Sequence, residues 1–257
     1  HPARPIDDRT MPAIAHAPST PAVPPGLPEP TPAGTLPAPV AVRRGRVGTR
    51  IAALGAAGFV GIFALVRARR SDALDLAVTL RLQRFRSPWL DPLMRAASWP
   101  GFAPQSRLIP PVTAGLLFAK GLRLEAAFVP VAWGTALVAT ITKALMKRPR
   151  PVAGTDVRVV AARLGGSSFP SGHVITYAGI YGYLAFLAGT LIRPRSVRRA
   201  AVGSLVGLLA LVGPSRVYQG HHWFTDVTAS YLLGASYLVA VTTIYRRVKA
   251  RLTGVRP

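Results

Sequence analysis

Cysteine is absent from this 257-residue sequence, and acidic residues are few, with nine Asp and Glu together. The absence of cysteine excludes disulfide bonds, thiolate metal sites and cysteine nucleophiles. By contrast, Lys and Arg number 32, the net charge is +23, and half of the residues are hydrophobic. With a mean hydropathy of +0.32, the chain is too apolar for an ordinary soluble domain, and we expect a polytopic membrane protein.

The basic residues cluster between the apolar runs of the sequence. This distribution is typical of loops that contact anionic lipid headgroups and set membrane topology. Basic stripes interleaved with aromatic residues, which binders of single-stranded nucleic acid use, do not occur. We therefore expect the bilayer and a membrane lipid as partners and no nucleic acid, while the sequence does not indicate an oligomeric state.

The first part of the chain differs from the rest in composition. Residues 1–42 are rich in Pro, Ala and Thr, without apolar periodicity and without a run that resembles a secretory signal. Such a segment cannot bury enough apolar surface to offset the entropy lost on ordering. We predict a disordered tail over residues 1–42 and one membrane domain over residues 43–257.

Six apolar runs are candidate transmembrane helices, at about residues 51–66, 105–119, 124–142, 173–192, 200–213 and 227–245. The second run is the weakest, because it is short and contains Pro110 and Pro111. The predicted fold class is all-α, a polytopic bundle of six transmembrane helices.

Six spans place both termini on the same side of the membrane. Basic residues in Lys120–Arg123, in Arg193–Arg199 and in the C-terminal segment then share one face, which the positive-inside rule assigns to the cytoplasm. Arginines within residues 67–86 violate this rule. They surround a predicted amphipathic helix at residues 72–85, expected to lie on the membrane surface, and contact with lipid phosphates is one explanation for them.

Three polar clusters interrupt the apolar runs, all on the extracytoplasmic face. The first, Lys143 to Pro151, follows the third run. A snorkelling helix end is the simpler explanation, but cations are in excess where the topology rule expects few, and arginine offers a fork of donors that matches phosphate oxygens. Pro149 and Pro151 disfavour helix just before them, so Arg150 is expected to leave the helix and reach sideways.

The second cluster is Pro170-Ser171-Gly172-His173, directly before the fourth run. A serine cap at the start of a helix explains part of it. Glycine also lets the backbone approach an anion closely, and the N-terminus of the following helix presents free N–H groups and a partial positive charge. His173 would stand on this first turn and could meet a bound phosphate, although a lone histidine there is more often structural.

The third cluster, Ser215 to Asp226, precedes the sixth run. His222 and Asp226 are four residues apart, so we expect them on one face of the helix that enters this run. A carboxylate bonded to one imidazole nitrogen fixes the tautomer and makes the other nitrogen a better nucleophile or base. A stabilising polar pair is the alternative, but ionisable residues at a membrane span are costly. A metal site is disfavoured, because the adjacent His221 would point away.

Together the three clusters resemble the type 2 phosphatidic acid phosphatase family of membrane lipid phosphatases. The family pattern is Lys-x6-Arg-Pro, Pro-Ser-Gly-His and Ser-Arg-x5-His-x3-Asp, and this sequence fits every spacing within about residues 50–250. The matching residues are Lys143 with Arg150-Pro151, then Pro170 to His173, then Ser215-Arg216 with His222 and Asp226. Arg148-Pro149 stands two residues too early to fit the pattern.

The resemblance implies a six-helix membrane bundle that hydrolyses phosphate esters without a metal or another cofactor. It implies that His222 is a nucleophile that forms a phosphohistidine, that Asp226 orients it, and that His173 protonates the leaving oxygen. The phosphate-binding residues that it implies are Lys143, Arg150, Ser171, Gly172 and Arg216.

Two other functions are compatible with the sequence. A lipid phosphotransferase would use the same histidine intermediate and pass the phosphoryl group to another acceptor. A non-catalytic membrane scaffold or transporter is disfavoured, because charges at a membrane span are costly to retain without use. Candidate substrates are phosphatidate, phosphatidylglycerol phosphate, polyprenyl diphosphate and a lipid A type glycolipid. We expect a bacterial cytoplasmic (inner) membrane, with the active site facing the periplasm or exterior.

Overall fold

The computed structural model describes residues 38–152, 157–160 and 165–254, and these ranges contain helices and loops but no strand. The all-α class is thus confirmed. Residues 1–37 of the predicted disordered tail lie outside the described residues. The helices are α1 Ala38–Arg67, α2 Asp72–Gln83, α3 Leu90–Ser98, α4 Gln105–Ala119, α5 Arg123–Trp133, α6 Thr135–Met146, α7 Gly172–Leu191, α8 Arg195–Tyr218 and α9 Phe224–Leu252, with a short 3₁₀ helix at Trp99–Gly101.

Five helical stretches of the described chain are long and apolar enough to cross a membrane. They are Val47–Arg67 in α1, Arg123–Met146 formed by α5 and α6 together, and the helices α7, α8 and α9. The second predicted span is present as α4, but its 15 residues rise only about 22 Å, less than the roughly 30 Å of a hydrocarbon core. The predicted count of six is therefore not exact, and α4 packs against α5 as a shorter helix.

Helix α7 lies at the centre of the bundle and packs against α5, α6, α8 and α9. Glycine is required where helices approach most closely. A Cβ on Gly179 would overlap the carbonyl oxygen of Ala132, and a Cβ on Gly234 would overlap the side chain of Ala178. In a membrane, where water does not drive apolar helices together, such close contact between small residues supplies much of the association.

The end of the bundle where α5 begins and α9 ends has an apolar core. Its buried members include Phe128, Val129, Ile180, Tyr183, Leu187, Val241 and Tyr245. Beside this core, Glu125 is buried, and its Oε1 accepts hydrogen bonds from the Tyr245 hydroxyl at 2.7 Å and from Lys249 Nζ at 2.7 Å. These bonds join α5 to α9 at the end of the bundle away from the polar clusters.

Helices α2 and α3 pack against the opposite, polar end of the bundle. The amphipathic helix predicted at residues 72–85 is found as α2, and its apolar side chain Leu74 is exposed. The sequence interpretation missed the other side of this helix, where Asp75, Thr79 and Gln83 are buried against the protein. Gln83 Nε2 donates to the carbonyl oxygen of Tyr218 at 2.9 Å. The buried polar side of α2 therefore lies next to the third polar cluster.

Candidate active site

The three predicted clusters meet at one end of the bundle, where α6 ends, α7 begins and α8 joins α9. Lys143 Nζ donates to the carbonyl oxygen of Ser167 at 2.8 Å, and Arg150 Nη2 donates to the same oxygen at 3.3 Å. Arg150 Nη1 also donates to the carbonyl oxygen of His221 at 2.8 Å. Because α6 ends at Met146, Arg150 lies outside the helix and contacts the loops of both other clusters.

His222 lies between two acceptors and a guanidinium group. Its Nδ1 is 2.7 Å from the carbonyl oxygen of Ser168 and 3.5 Å from Asp226 Oδ2. Since both oxygens are acceptors, Nδ1 carries the hydrogen, and Nε2 of the neutral ring keeps its lone pair. Nε2 is 3.2 Å from Arg150 Nη1, which can donate to it. This tautomer is the one that a nucleophilic Nε2 requires.

The imidazole of His222 is neutral near physiological pH. The residue is only 2% exposed, and burial lowers the pKa of His222 to about 4. The carboxylate of Asp226 acts in the opposite direction, while the positive charge of Arg150 adds to the lowering of the pKa. The lone pair of Nε2 is therefore available for bond formation above about pH 4.

His222 and Asp226 do not share a helical face, which corrects the sequence interpretation. Helix α9 begins at Phe224, with Trp223 as its N-cap, so His222 precedes the helix. Asp226 is in the first turn of α9, and its Oδ2 accepts a hydrogen bond from the backbone N–H of Trp223 at 2.9 Å. The two residues approach each other through this capping turn rather than along a helix.

An arginine that does not fit the family pattern holds Asp226 in place. Arg148 donates through Nη1 to Asp226 Oδ1 at 2.7 Å and through Nη2 to Asp75 Oδ2 at 2.6 Å. Thr225 joins the network, because its backbone N–H and its hydroxyl both donate to Asp75, each at 2.8 Å. Burial alone would lower the pKa of Arg148, but Asp226 and Asp75 hold it above its ordinary value.

This network includes side chains that the sequence analysis did not select. Arg148 was set aside because it stands two residues early, and Asp75 was treated only as part of an amphipathic helix. The spacing of four residues between Asp75, Thr79 and Gln83 is a signal that could have identified a buried polar side of α2. The partner of Asp75 could not be found in the same way, because Arg148 is 73 residues away in the chain.

Several donors at the site are buried without a protein acceptor. Arg216 is 0% exposed, and no residue in the described part of the chain bonds its Nε, Nη1 or Nη2. Its guanidinium lies over the ring of Phe102, 5.0 Å from the centroid. Within the same described ranges, Ser171 Oγ and His173 Nε2 are also buried without a hydrogen bond. Because an uncompensated buried cation is costly, this group of donors is suited to an anion.

The start of α7 places Ser171, Gly172 and His173 at the edge of this group. Ser171 is the N-cap residue, but its side chain forms no capping hydrogen bond, so the cap expected from the sequence is made without the hydroxyl. The N–H groups of the first turn, from Gly172 onward, have no acceptor within the helix. His173 packs edge-on against Phe102, with ring centroids 4.6 Å apart, and a Cβ on Gly101 would overlap its ring. Sequence reasoning missed Phe102 and Gly101, since neither carries a polar side chain.

His221 contributes to the site mainly through its backbone. Its N–H donates to the carbonyl oxygen of Arg216 at 3.0 Å, and its own carbonyl accepts from Arg150. Burial, together with the charge of Arg216, lowers the pKa of the His221 ring to about 3. Within residues 38–152, 157–160 and 165–254, no three His, Cys, Asp or Glu side chains are grouped closely enough to hold a metal ion.

A groove of about 320 Å³ runs from the site between α4, α6 and α7. Lys143, Gly172 and His173 form one part of its lining. Most of the other lining residues are apolar, among them Ile109, Pro110, Trp133, Ala139 and Ile180. A groove with a cationic part and apolar walls suits an amphiphile that carries a phosphate group.

Comparison with known proteins gives a matching family model and a curated relative. Residues 126–250 match a family model described as the PAP2 superfamily. Phosphatidylglycerophosphatase B of Bacillus subtilis (strain 168) is 27% identical over 196 residues, which cover 74% of this chain and 93% of that protein.

Two solved structures share the fold. One is a crystal structure described as the first transmembrane PAP2 type phosphatidylglycerolphosphate phosphatase from Bacillus subtilis, which aligns with a TM-score of 0.66 and 24% identity over 77% of this chain and 96% of that chain. The other is Aquifex aeolicus LpxE, with a TM-score of 0.52 and 21% identity over 66% of this chain and 95% of that chain. The region that matches the PAP2 superfamily model contains all three polar clusters, and the comparisons support a membrane lipid phosphatase similar to these proteins.

Proposed function

We propose that this protein hydrolyses a phosphate ester of a membrane lipid through a phosphohistidine formed on His222. The observation that carries the proposal is the set of contacts around the ring of His222, from which its tautomer is inferred. Its Nδ1–H is donated to the carbonyl oxygen of Ser168, while Nε2 lies 3.2 Å from Arg150. The lone pair of His222 Nε2 can act as a nucleophile, and the guanidinium of Arg150 beside it can bind phosphate oxygens.

In the first step, Nε2 of His222 attacks the phosphorus atom. A P–N bond forms, and the bond between phosphorus and the lipid oxygen breaks. The non-bridging oxygens are held by cationic side chains and by donors at the start of α7, namely Lys143, Arg150, Arg216, Ser171 and Gly172. Such fixed positive groups stabilise the charge of the transferring phosphoryl group without a metal ion.

His173 moves the proton in both steps. Protonated His173 gives a proton to the leaving lipid oxygen, and neutral His173 then takes a proton from water as the water oxygen attacks phosphorus. The P–N bond breaks, inorganic phosphate leaves, and His222 and protonated His173 are restored. Because His173 Nε2 is buried without a hydrogen bond in the described part of the chain, a substrate oxygen is a suitable partner for it.

Asp226 orients His222, and Arg148 orients Asp226. Arg148 donates to Oδ1 of Asp226. Oδ2 of Asp226 then accepts from the N–H of Trp223 and faces Nδ1 of His222. When His222 becomes phosphorylated, its ring gains positive charge, and the fixed carboxylate balances that charge. Arg148 is therefore a positioning residue that acts through Asp226.

We propose phosphatidylglycerol phosphate as the first substrate to test. The B. subtilis relative, of which the alignment covers 93%, is named as a phosphatidylglycerophosphatase. Phosphatidate, polyprenyl diphosphate and a lipid A type glycolipid present a comparable phosphate at the interface and serve as comparison substrates. The test is phosphate release by the full chain in lipid nanodiscs, with each of these lipids and with or without an added acceptor.

Hydrolysis predicts phosphate release without an acceptor, whereas a phosphotransferase would release product only when an acceptor is present. His222→Ala should lose nearly all turnover and all phosphoryl labelling, while still inserting into membranes. Full activity of this variant would remove the nucleophile assignment. A chelator should leave the activity unchanged. Activity lost to a chelator and restored by a divalent ion would contradict the metal-free mechanism.

We further propose that the protein lies in a bacterial inner membrane with the site facing the periplasm or exterior. The basic segments Lys120–Arg123 and Arg193–Arg199 lie at helix ends away from the site, where the positive-inside rule predicts the cytoplasm. Because the chain lacks cysteine, single cysteines can report orientation. A membrane-impermeant maleimide should label Arg86→Cys and not Lys120→Cys in intact cells, and the reverse pattern would overturn the orientation.

A further inference from the structure

A second cavity, here called the lateral cavity, lies beside the catalytic site and has a volume of about 860 Å³. It shares no lining residue with the groove that contains Lys143 and His173. We propose that the lateral cavity binds the phosphate-bearing headgroup of an anionic membrane lipid. This site is separate from the one at which catalysis is proposed, and its ligand is bound rather than hydrolysed.

Three cations of the lateral cavity have no ion-pair partner among the residues that the structure describes. Arg67, Arg69 and Lys147 line it, and none of their side chains forms a hydrogen bond or ion pair with any residue that the structure describes. The two carboxylates in the lining, Asp72 and Asp75, instead face Arg148 at 3.5 and 2.6 Å. With Arg148 included, four cations and two carboxylates line the cavity, and the net charge of +2 matches the oxygens of a phosphate group.

Two of the three cations follow the end of a helix in the left-handed conformation. Arg69 and Lys147 have φ angles of 55° and 51°, and in the described ranges they are the only non-glycine residues with positive φ. This left-handed conformation costs about 1–2 kcal/mol per residue for a side chain with a Cβ. Both residues follow the end of a membrane-spanning stretch, at Arg67 and at Met146. Both left-handed residues end a helix, where this conformation is common, and they place two of the cations at the cavity.

The position of the lateral cavity selects a lipid as its occupant. Its lining includes Arg67 and Met146, where two membrane-spanning stretches end, and Trp223, which immediately precedes a third. The cavity therefore lies at the depth of lipid headgroups. Neighbouring side chains on the two spans, Leu65 and Leu145, are 48% and 65% exposed. A headgroup in the cavity would leave its acyl chains against this apolar surface, whereas a free phosphate ion would use none of it.

The lateral cavity accounts for cations that the topology rule does not explain. Arg67 and Arg69 lie on the face where few basic residues are expected. Each cation near an anionic headgroup contributes a factor of about five in affinity, so the three together contribute roughly 100-fold. The matched comparison within the chain is Arg70, Arg84 and Arg86, which are exposed and belong to the same basic segment but do not line the cavity.

The test measures binding of phosphatidylglycerol to the full chain in detergent by native mass spectrometry, with phosphatidylcholine and inorganic phosphate as separate probes. The cavity variant combines Arg67→Gln with Arg69→Asn and Lys147→Asn, since asparagine tolerates the left-handed conformation. We expect its apparent Kd for phosphatidylglycerol to rise roughly 100-fold. A control variant, Arg70→Gln with Arg84→Gln and Arg86→Gln, loses the same charge and should change by less than about fivefold.

Equal losses in the two variants would show general electrostatic attraction and overturn the site, as would an unchanged cavity variant. Displacement of the lipid by inorganic phosphate at equal concentration would overturn the choice of a lipid. If the triple variant does not insert, Arg67→Gln alone should weaken binding about fivefold. Turnover of a water-soluble phosphate ester should be the same in the cavity variant and the native chain, so this binding test is independent of the proposed catalytic mechanism.

Discussion

Replacing Arg148 with methionine should slow the chemical step without weakening phosphate binding. Arg148 is 8% exposed, and it bonds two carboxylates, Asp75 and Asp226, that are 1% and 0% exposed. Methionine has a similar length but no donor, so both carboxylates would lose their guanidinium partner. Removal of one partner from a buried ion pair costs about 3–5 kcal/mol, and Asp226 would no longer be held in one orientation beside His222.

We expect kcat to fall about 10- to 100-fold, which corresponds to about 1.4–2.8 kcal/mol of transition-state stabilisation and to the strength of one charged hydrogen bond. KM should change by less than about threefold, since Arg148 acts through Asp226 rather than on the phosphate. Arg150→Met is the matched control two residues later. Because Arg150 faces His222 Nε2, its loss should raise KM as well as lower kcat.

The pH dependence of kcat/KM distinguishes a role of Arg148 in positioning Asp226 from a general loss of folded structure in the variant. Burial lowers the pKa of His222 to about 4, and Asp226 raises it against that effect. Without Arg148, the charge of Asp226 is less compensated, so the acidic limb should move to higher pH. Asp226→Asn should move the limb to lower pH. The assay is phosphate release in nanodiscs from about pH 3 to 8, with thermal unfolding measured in parallel. The positioning role of Arg148 would be refuted if the acidic limb of kcat/KM did not move in the variant. It would also be refuted if the loss of kcat/KM came from a higher KM rather than from a lower kcat.

In the native protein, kcat/KM should fall below about pH 4 as His222 is protonated. Thermal stability should fall as the pH drops from about 6.5 toward 4, because the unfolded chain binds this proton first. An acidic limb of kcat/KM near pH 6.5 would contradict the lowered pKa of His222, on which both of these predictions rest. Gly101→Ala should lower kcat at least about tenfold with little loss of stability, because its Cβ would displace the ring of His173; unchanged kcat would count against the role of His173. Glu125→Gln should lower the unfolding temperature by about 2–4 °C and leave kcat unchanged, since it weakens a bond distant from the site. A large loss of kcat would show that the two ends of the bundle are coupled.

The spans and polar clusters could be predicted because both are local patterns. The fourth span is predicted at residues 173–192, and α7 occupies Gly172–Leu191. Each polar cluster stands at the end of an apolar run, so its place at the membrane surface follows from the sequence. The length of α4 did not follow, because hydropathy shows where an apolar run lies but not whether its helix crosses the full bilayer.

The contacts that fix the site depend on tertiary structure. Helix α9 begins at Phe224, so His222 lies just before the helix. Sequence patterns do not locate a helix end to within one or two residues, so this position could not be predicted. Arg148 and Asp75 meet only after α2 folds against α9 and the end of α6. Phe102 and Gly101 act by shape and packing, which leave no polar signature in the sequence.

The guanidinium of Arg216, which is buried without a partner among the described residues, has an expected consequence for product release. A phosphate ion that binds beside it binds the folded protein and not the unfolded chain, so the released product should raise the unfolding temperature. At a concentration one hundred times its Kd, a ligand of this kind adds about 2.7 kcal/mol to the free energy of unfolding. The same binding places product in competition with the next substrate. If Arg216 binds the phosphoryl group as proposed, we expect turnover to fall as the phosphate concentration around the enzyme rises.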